Sequence, residues 1–169
     1  MNIFLRKCTQ ADKEGLKALC NAVDRRYLSD SIPYPYTDSD AEQWLNMVQE
    51  SEGKDRLFRA IVVEGKMVGS ISVEKKADVC RIDGNIGYML LTDYWSKGIM
   101  TQAVAEMSRL AFDILDLRRI TALVYEPNIA SAKVLEKNGY TKEATIRNAV
   151  IKDNHIYTIL QYGLLRFGE

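Results

Sequence analysis

The sequence predicts a mixed α/β fold, and three observations carry that reading. Apolar spacing switches between the helical and the strand period in the order β-α-α-β-β-β-α-β-α-β-β. Glu64-Gly65-Lys66 joins two β-rich runs through tight-turn chemistry, which marks a hairpin. Ile86–Leu91 is short and apolar, is broken by Thr92-Asp93, and gives way after Gly98 to a helical pattern.

The elements follow in chain order. Ile3–Lys7 reads as a short opening strand. Thr9 starts a helix with Asp12 as its capping-box acid, and Leu16, Leu19, Cys20 and Val23 face the core. Tyr27–Tyr36 is irregular because Pro33 and Pro35 bar a helix interior. Its tyrosines, Tyr34 and Tyr36 among them, either pack on the core with exposed hydroxyls or form one wall of a substrate cleft. Thr37 and Asp40 repeat the capping signal for a second helix with Ala41, Trp44, Leu45 and Val48 inward. Leu57–Val63 and Met67–Glu74 form the hairpin, and Val79–Leu91 is the next strand, interrupted at Asp83-Gly84. Ile99, Ala103, Met107, Leu110, Ala111, Ile114 and Leu115 mark one face of a long helix. Arg119–Tyr125 reads as a central strand, Pro127 as the first turn of a helix, and Gly139 as its stop. Tyr140–Arg147 and Ile156–Leu165 close the fold as an antiparallel pair joined through Lys152-Asp153-Asn154.

Composition narrows the function. A chain of 169 residues, 47% hydrophobic and 27% charged, fits one globular domain over residues 1–169. Lys plus Arg and Asp plus Glu balance at 23 each, so charge gives no reason to expect nucleic acid or a membrane as partner. No stretch looks like a signal peptide or a spanning segment. Cys8, Cys20 and Cys80 are scattered and His155 is the only histidine, which argues against a metal site and for reduced thiols in a cytoplasmic protein.

The loop from Ser96 to Thr101 is the first candidate site. A glycine-bearing loop that opens a helix presents unpaired N–H groups at the positive end of the helix dipole, which suits a phosphate or pyrophosphate. Neither G-x-x-x-x-G-K-[ST] nor G-x-G-x-x-G occurs, so a P-loop and a dinucleotide fingerprint are excluded. A plain strand-to-helix turn would leave the same trace in sequence.

Tyr94-Trp95-Ser96-Lys97-Gly98-Ile99-Met100-Thr101-Gln102-Ala103 resembles the acetyl-CoA pyrophosphate loop of the GNAT superfamily of N-acetyltransferases. It is most similar to the RimJ/RimL-like subgroup, the ribosomal-protein N-terminal acetyltransferases. Glu126-Pro127-Asn128-Ile129-Ala130-Ser131, followed by Leu135-Glu136-Lys137-Asn138-Gly139-Tyr140, is similar to that subgroup's second motif, N-x-x-S then L-E-K-x-G-[FY]. The resemblance covers nearly the whole chain. It implies the GNAT fold, with a mixed, mostly antiparallel sheet of seven strands flanked by four helices, the count that the order of elements also gives.

The resemblance also implies acetyl transfer from acetyl-CoA to a primary amine in a ternary complex, with a protein N-terminus as the acceptor suggested by the subgroup. Ser96, Lys97, Gly98, Ile99, Met100 and Thr101 would hold the pyrophosphate. Met89, Leu90 and Leu91 would pair with the pantetheine arm, which also meets Asn128. Many members carry a tyrosine acid where this chain has Leu135, so Ser131 becomes the candidate at the leaving sulfur. The subgroup's usual acid on the central strand is replaced by Asn85, which leaves Asp83 as the candidate base, with Tyr88, Glu126 and His155 as further options. Tyr34, Tyr36 and Tyr88 are the acceptor-side candidates. Two other readings stay open: a small-molecule acceptor such as a polyamine, amino acid or antibiotic, with Asp30, Asp38 and Asp40 near the cleft, or a CoA-binding module with little catalysis, given Asn85, Gln102 and Leu135. Homodimers are common in the family, which leaves a second copy open as a partner.

Overall fold

Short polar side chains set where the first helices begin. Thr9 and Thr37 each accept a hydrogen bond from the turn they open, while Asp12 Oδ2 and Asp40 Oδ2 each accept the threonine N–H in return at 2.8 Å. The computed structural model describes residues 1–167. In order it contains β1 (Ile3–Arg6), a tight helical turn at Gln10–Asp12, α1 (Lys13–Ala22), α2 (Asp38–Ser51), β2 (Arg56–Val63), β3 (Lys66–Lys75) and β4 (Asp83–Leu90). Then follow α3 (Ile99–Leu115), β5 (Arg119–Tyr125), α4 (Ile129–Lys137), β6 (Thr141–Lys152) and β7 (His155–Leu165).

The seven strands form one sheet in the order β1-β2-β3-β4-β5-β7-β6. Every neighbouring pair is antiparallel except β4 with β5, which the crossover helix α3 makes parallel. Both hairpin turns expected from sequence are two-residue turns with positive φ, at Glu64-Gly65 and Asp153-Asn154. One sheet face packs on α3 and α4 through Ile71, Ile86, Val104, Met107, Ile120 and Leu135. The other packs on α1 and α2 through Leu16, Leu19, Leu45, Phe58 and Val62.

Four expectations need correction. The fourth strand starts at Asp83; Asp78–Cys80 is a tight turn and Val79 is 77% exposed, so Asp83-Gly84 is a beginning and not an interruption. Pro127 lies outside α4, because the Asn128 side chain takes the Ser131 N–H and so caps the helix. β6 continues past Arg147 to Lys152 through a bulge between Ile146 and Val150. Ile114 is exposed near the end of α3, where the helix passes the edge of the core.

Asp12 couples the first cap to β1. Its carboxylate meets the Arg6 guanidinium at 2.6 and 2.8 Å and is held below the usual range mainly by that hydrogen bond. A depressed folded pKa gives stability that is complete above the unfolded value and lost as pH falls through the folded one. Asp12→Asn is therefore expected to lower stability by about 1 kcal/mol at neutral pH. Urea unfolding as a function of pH should show the gap to wild type closing below about pH 4.

Candidate active site

Strands β4 and β5 are paired only at Asp83↔Arg119, Gly84↔Ile120 and Asn85↔Thr121. Beyond that point β4 runs on to Leu90 and β5 to Tyr125 without pairing to each other, so a gap opens between neighbouring strands of the sheet. On its other side β4 stays in register with β3, and Leu91 N–H donates to Val68 O. Antiparallel pairs alternate between bonded and non-bonded positions, so Met89 with Ser70 is a bonded pair. Tyr88 and Leu90 then turn their backbone N–H and C=O into the gap. Of the three residues expected to pair with pantetheine, Leu90 is on the correct edge, while Met89 and Leu91 face β3. The Leu90 carbonyl is already taken by Trp95 Nε1 at 2.9 Å, which leaves the Leu90 N–H and both Tyr88 groups.

The loop after the gap has the geometry its sequence suggests. Gly98 caps α3 at φ 76° with no side-chain cap, and Ser96 also has positive φ at 59°. The N–H groups of Ile99, Met100 and Thr101 therefore begin a helix of 17 residues without a side-chain partner. Gly98 is exposed, and a Cβ there would meet nothing within 4 Å. Lys97 turns back onto its own loop, with Nζ donating to Asp93 O at 2.7 Å and lying over the Tyr94 ring. Gln102, at the subgroup's glutamate position, reaches Ile3 O at 3.4 Å and ties α3 to β1.

The first turn of α4 faces the gap from the α3/α4 side. Asn128 Oδ1 accepts the Ser131 N–H at 3.3 Å, and its amide Nδ2 has no partner among the described residues. Capping and ligand contact are thus compatible roles for the two ends of one amide. Ser131 Oγ lies 2.7 Å from the Tyr88 hydroxyl, which joins α4 to β4. Burial pushes the Tyr88 phenol up to about 12, partly offset by the bond to Ser131. Leu135 is fully buried in the core.

The opposite face of the gap is open. Asn85 and Gly87 are exposed on β4, and Leu123 in the middle of β5 is 56% exposed. Tyr27, Tyr125 and Tyr157 form a wall beside it, with Tyr125 within 5.3 Å of Tyr27 and 5.4 Å of Tyr157 between ring centres. Lys152 Nζ reaches Asp30 Oδ1 at 2.5 Å and ties the β6–β7 hairpin to the segment after α1. No local sequence signal joins these three tyrosines, because they come from three elements that meet only in the fold.

Tyr34 is 69% exposed under the Arg25 guanidinium. Tyr36 is a core residue with its hydroxyl on Asp40 O and its phenol pushed up by burial, so the cleft wall expected there is built by other tyrosines. Asp83 is buried at the closed end of the gap and bound by Thr121 Oγ1 at 2.8 Å and Lys76 Nζ at 2.5 Å. Five residues of strand place it about 17 Å from Tyr88. His155 is exposed at the hairpin tip, with Nδ1 on Asp153 O. A gap with outward N–H groups, an uncapped helix start and a hydroxyl beside it fits a pyrophosphate-bearing thioester.

Comparison with known proteins gives the family. The family model described as the acetyltransferase (GNAT) domain matches residues 2–141. The uncharacterized N-acetyltransferase YoaA of Bacillus subtilis is 29% identical over 172 residues, covering 94% of this chain and 93% of YoaA. The probable N-acetyltransferase YjcK of Bacillus subtilis is 32% identical over 133 residues, 74% of each chain. Among solved structures, RimL, a ribosomal alpha-N-protein acetyltransferase in complex with coenzyme A, superposes with a TM-score of 0.87 at 19% identity, covering 98% of this chain and 94% of that one. At that identity the likeness is one of fold.

Gly98→Glu puts a negative charge at the start of α3 at a strain cost of about 1–2 kcal/mol. It is expected to weaken coenzyme A binding by about a hundredfold while the protein stays folded. Calorimetric titration and a melting curve on the same sample check both halves.

Proposed function

The chain belongs to the acetyltransferase (GNAT) domain family, and from that premise we propose that it moves the acetyl group of acetyl-CoA directly to a protein N-terminal α-amine. The observation that carries this reading is the gap between β4 and β5, with the Ser131–Tyr88 pair on one face and an open cleft on the other. The loop Ser96–Thr101 and the free amide of Asn128 hold the donor, the Leu90 N–H faces the acyl oxygen, and Ser131 faces the sulfur. The acceptor enters past Asn85, Gly87 and the wall of Tyr27, Tyr125 and Tyr157. One domain holds both substrates together.

The reaction then balances without a metal or a covalent enzyme intermediate. The neutral amine attacks the acyl carbon and forms the C–N bond. Negative charge gathers on the acyl oxygen and then leaves with the sulfur as the C–S bond breaks. The ammonium proton passes to water and the thiolate takes one up.

The ionisation of the acceptor favours an α-amine. With a pKa of about 8, roughly a quarter of such an amine is neutral at pH 7.5, against about one in a thousand for an alkylamine near 10.4. The acids that would attract a polyamine are engaged: Asp30 with Lys152, Asp38 with Lys17 at 2.7 Å, and Asp40 with Thr37. The departures at Asn85, Gln102 and Leu135 also suit a CoA-binding module, and turnover separates the two.

Acetyl-CoA-dependent thiol release is the test, run on peptides with varied N-termini, polyamines, amino acids and aminoglycosides. Release with peptides is expected. Release confined to another class moves the acceptor to that class, and silence with coenzyme A bound leaves the binding module. Ser131→Ala is expected to lower kcat by about tenfold or more, with little change in KM for acetyl-CoA.

A further inference from the structure

Leu123 stands in the middle of β5, an interior strand of the sheet, yet it is 56% exposed while Ala122 and Val124 beside it are buried. Side chains alternate along a strand, so Ala122 and Val124 enter the α3/α4 core while Leu123 and Tyr125 share the open face. Tyr125 pairs with Ile159, and Ile159 pairs in turn with Ile146 on β6, which is 41% exposed. Leu123, Tyr125 and Ile146, with Tyr27 and Tyr157 packed on Tyr125, form one apolar patch where α1 and α2 leave the sheet uncovered.

The patch is continuous with the gap. Counting on from Asn85↔Thr121, Gly87 comes level with Leu123 and Met89 with Tyr125. Gly87 is exposed and a Cβ there would meet nothing within 4 Å, so the space over β4 at that level is open. An amine that reaches a thioester at the level of Tyr88 and Leu90 therefore carries its own substituent onto Leu123 and Tyr125. Charged groups beside the patch are paired with one another: Arg26 with Asp24 at 2.6 Å, Arg119 with Glu143 at 2.6 Å, and Lys152 with Asp30. A charged substituent there would lose water and gain no partner in exchange.

Resting on the protein N-terminal reading above, we infer that this patch selects acceptors whose first residue has a large apolar side chain, with Leu123 as the specificity-determining residue. That side chain lies on Leu123 and against Tyr125, which takes apolar surface of both partners out of water. The tyrosines suit such a wall, since each presents an apolar ring and keeps a polar tip for solvent. A free amino acid with the same side chain adds an α-carboxylate, which the paired charges do not compensate.

The test is kcat/KM at saturating acetyl-CoA on peptides that differ only in their first residue, Leu, Ala, Arg or Asp, with free leucine beside them. The wild type is expected to prefer Leu over Ala by about tenfold or more, with Arg and Asp below Ala. Leu123→Ser should narrow the Leu-to-Ala ratio to about threefold or less. Leu123→Glu should raise the Arg peptide about tenfold relative to the Leu peptide, a gain that a damaged fold does not give. Ile151→Ser is the control: Val150 pairs with Tyr157 and Ile151 with Ile156, so the 65% exposed Ile151 points to the other face, and the wild-type ratio should persist. Equal rates with Leu and Ala in the wild type, or wild-type ratios in the Leu123 variants, overturn the inference while the reading on which it rests stands. Acetylation of free leucine, or of another class of amine, without any peptide overturns that reading itself.

Discussion

Parting of β4 from β5 after Asn85↔Thr121 is the constraint that the rest of the molecule accommodates. Two interior strands that stop pairing leave backbone donors and acceptors with no ladder partner, and buried groups of that kind need one. The closed end is held by charge: Asp83 takes Thr121 and Lys76, and Arg119 on β5 bonds Glu143 on β6 at 2.6 Å. The open end is held by side chains and a crossing strand. Trp95 caps Leu90 O, and Glu126 N–H donates to Thr158 O, which draws the end of β5 toward β7. What stays unpaired is a short stretch of β4 edge at the level of Ser131 and the β5 edge that faces it beyond Thr121.

Each wall of that opening comes from a different layer. The helix start at Gly98 and the first turn of α4 stand on the α3/α4 face, where two helices cover the sheet. The tyrosine wall and the Lys152–Asp30 tie stand on the other face, where α1 and α2 cover only the β1–β3 half of the sheet. An opening through an otherwise continuous sheet lets two ligands approach one point from opposite sides. Such an arrangement supplies proximity and orientation, the part of the barrier that needs no reactive side chain.

Local features were legible in the sequence and long-range ones were not. Both capping boxes, both hairpin turns and the glycine loop before α3 depend on neighbours within a few residues, and each lies where the pattern put it. The sequence makes the strand before Leu91 look too long because Val79, Cys80 and Ile82 mimic a strand, although their side chains are exposed. Asp83 looked like a base because its partners, Lys76, Thr121 and Arg119, become visible only once the strands are registered. The sequence does not tell which edge Met89 and Leu91 face for the same reason, since which strand a backbone group faces is a property of register. Ser131 stands out in the sequence through its motif, whereas its contact with Tyr88 is visible only in the fold.

The modest chemistry of the site suits the groups that the proposed reaction brings to it. An N-terminal ammonium near 8 and a thiol near 8.5 differ by about half a unit, so passing the ammonium proton to the leaving thiolate is favourable by under about 1 kcal/mol. Neither a strong base nor a strong acid is then required, and a buried ionised carboxylate at the gap would add a desolvation cost without a matching gain. Two neutral hydroxyls, fixed by each other, cost little to bury because each satisfies the other. They also keep the same protonation state across the pH range in which the amine and the thiol titrate. For an alkylamine near 10.4 the same site would start about 4 kcal/mol short at pH 7.5. Under the proposed reaction, the acceptor's own pKa then selects it as much as the walls around the gap do.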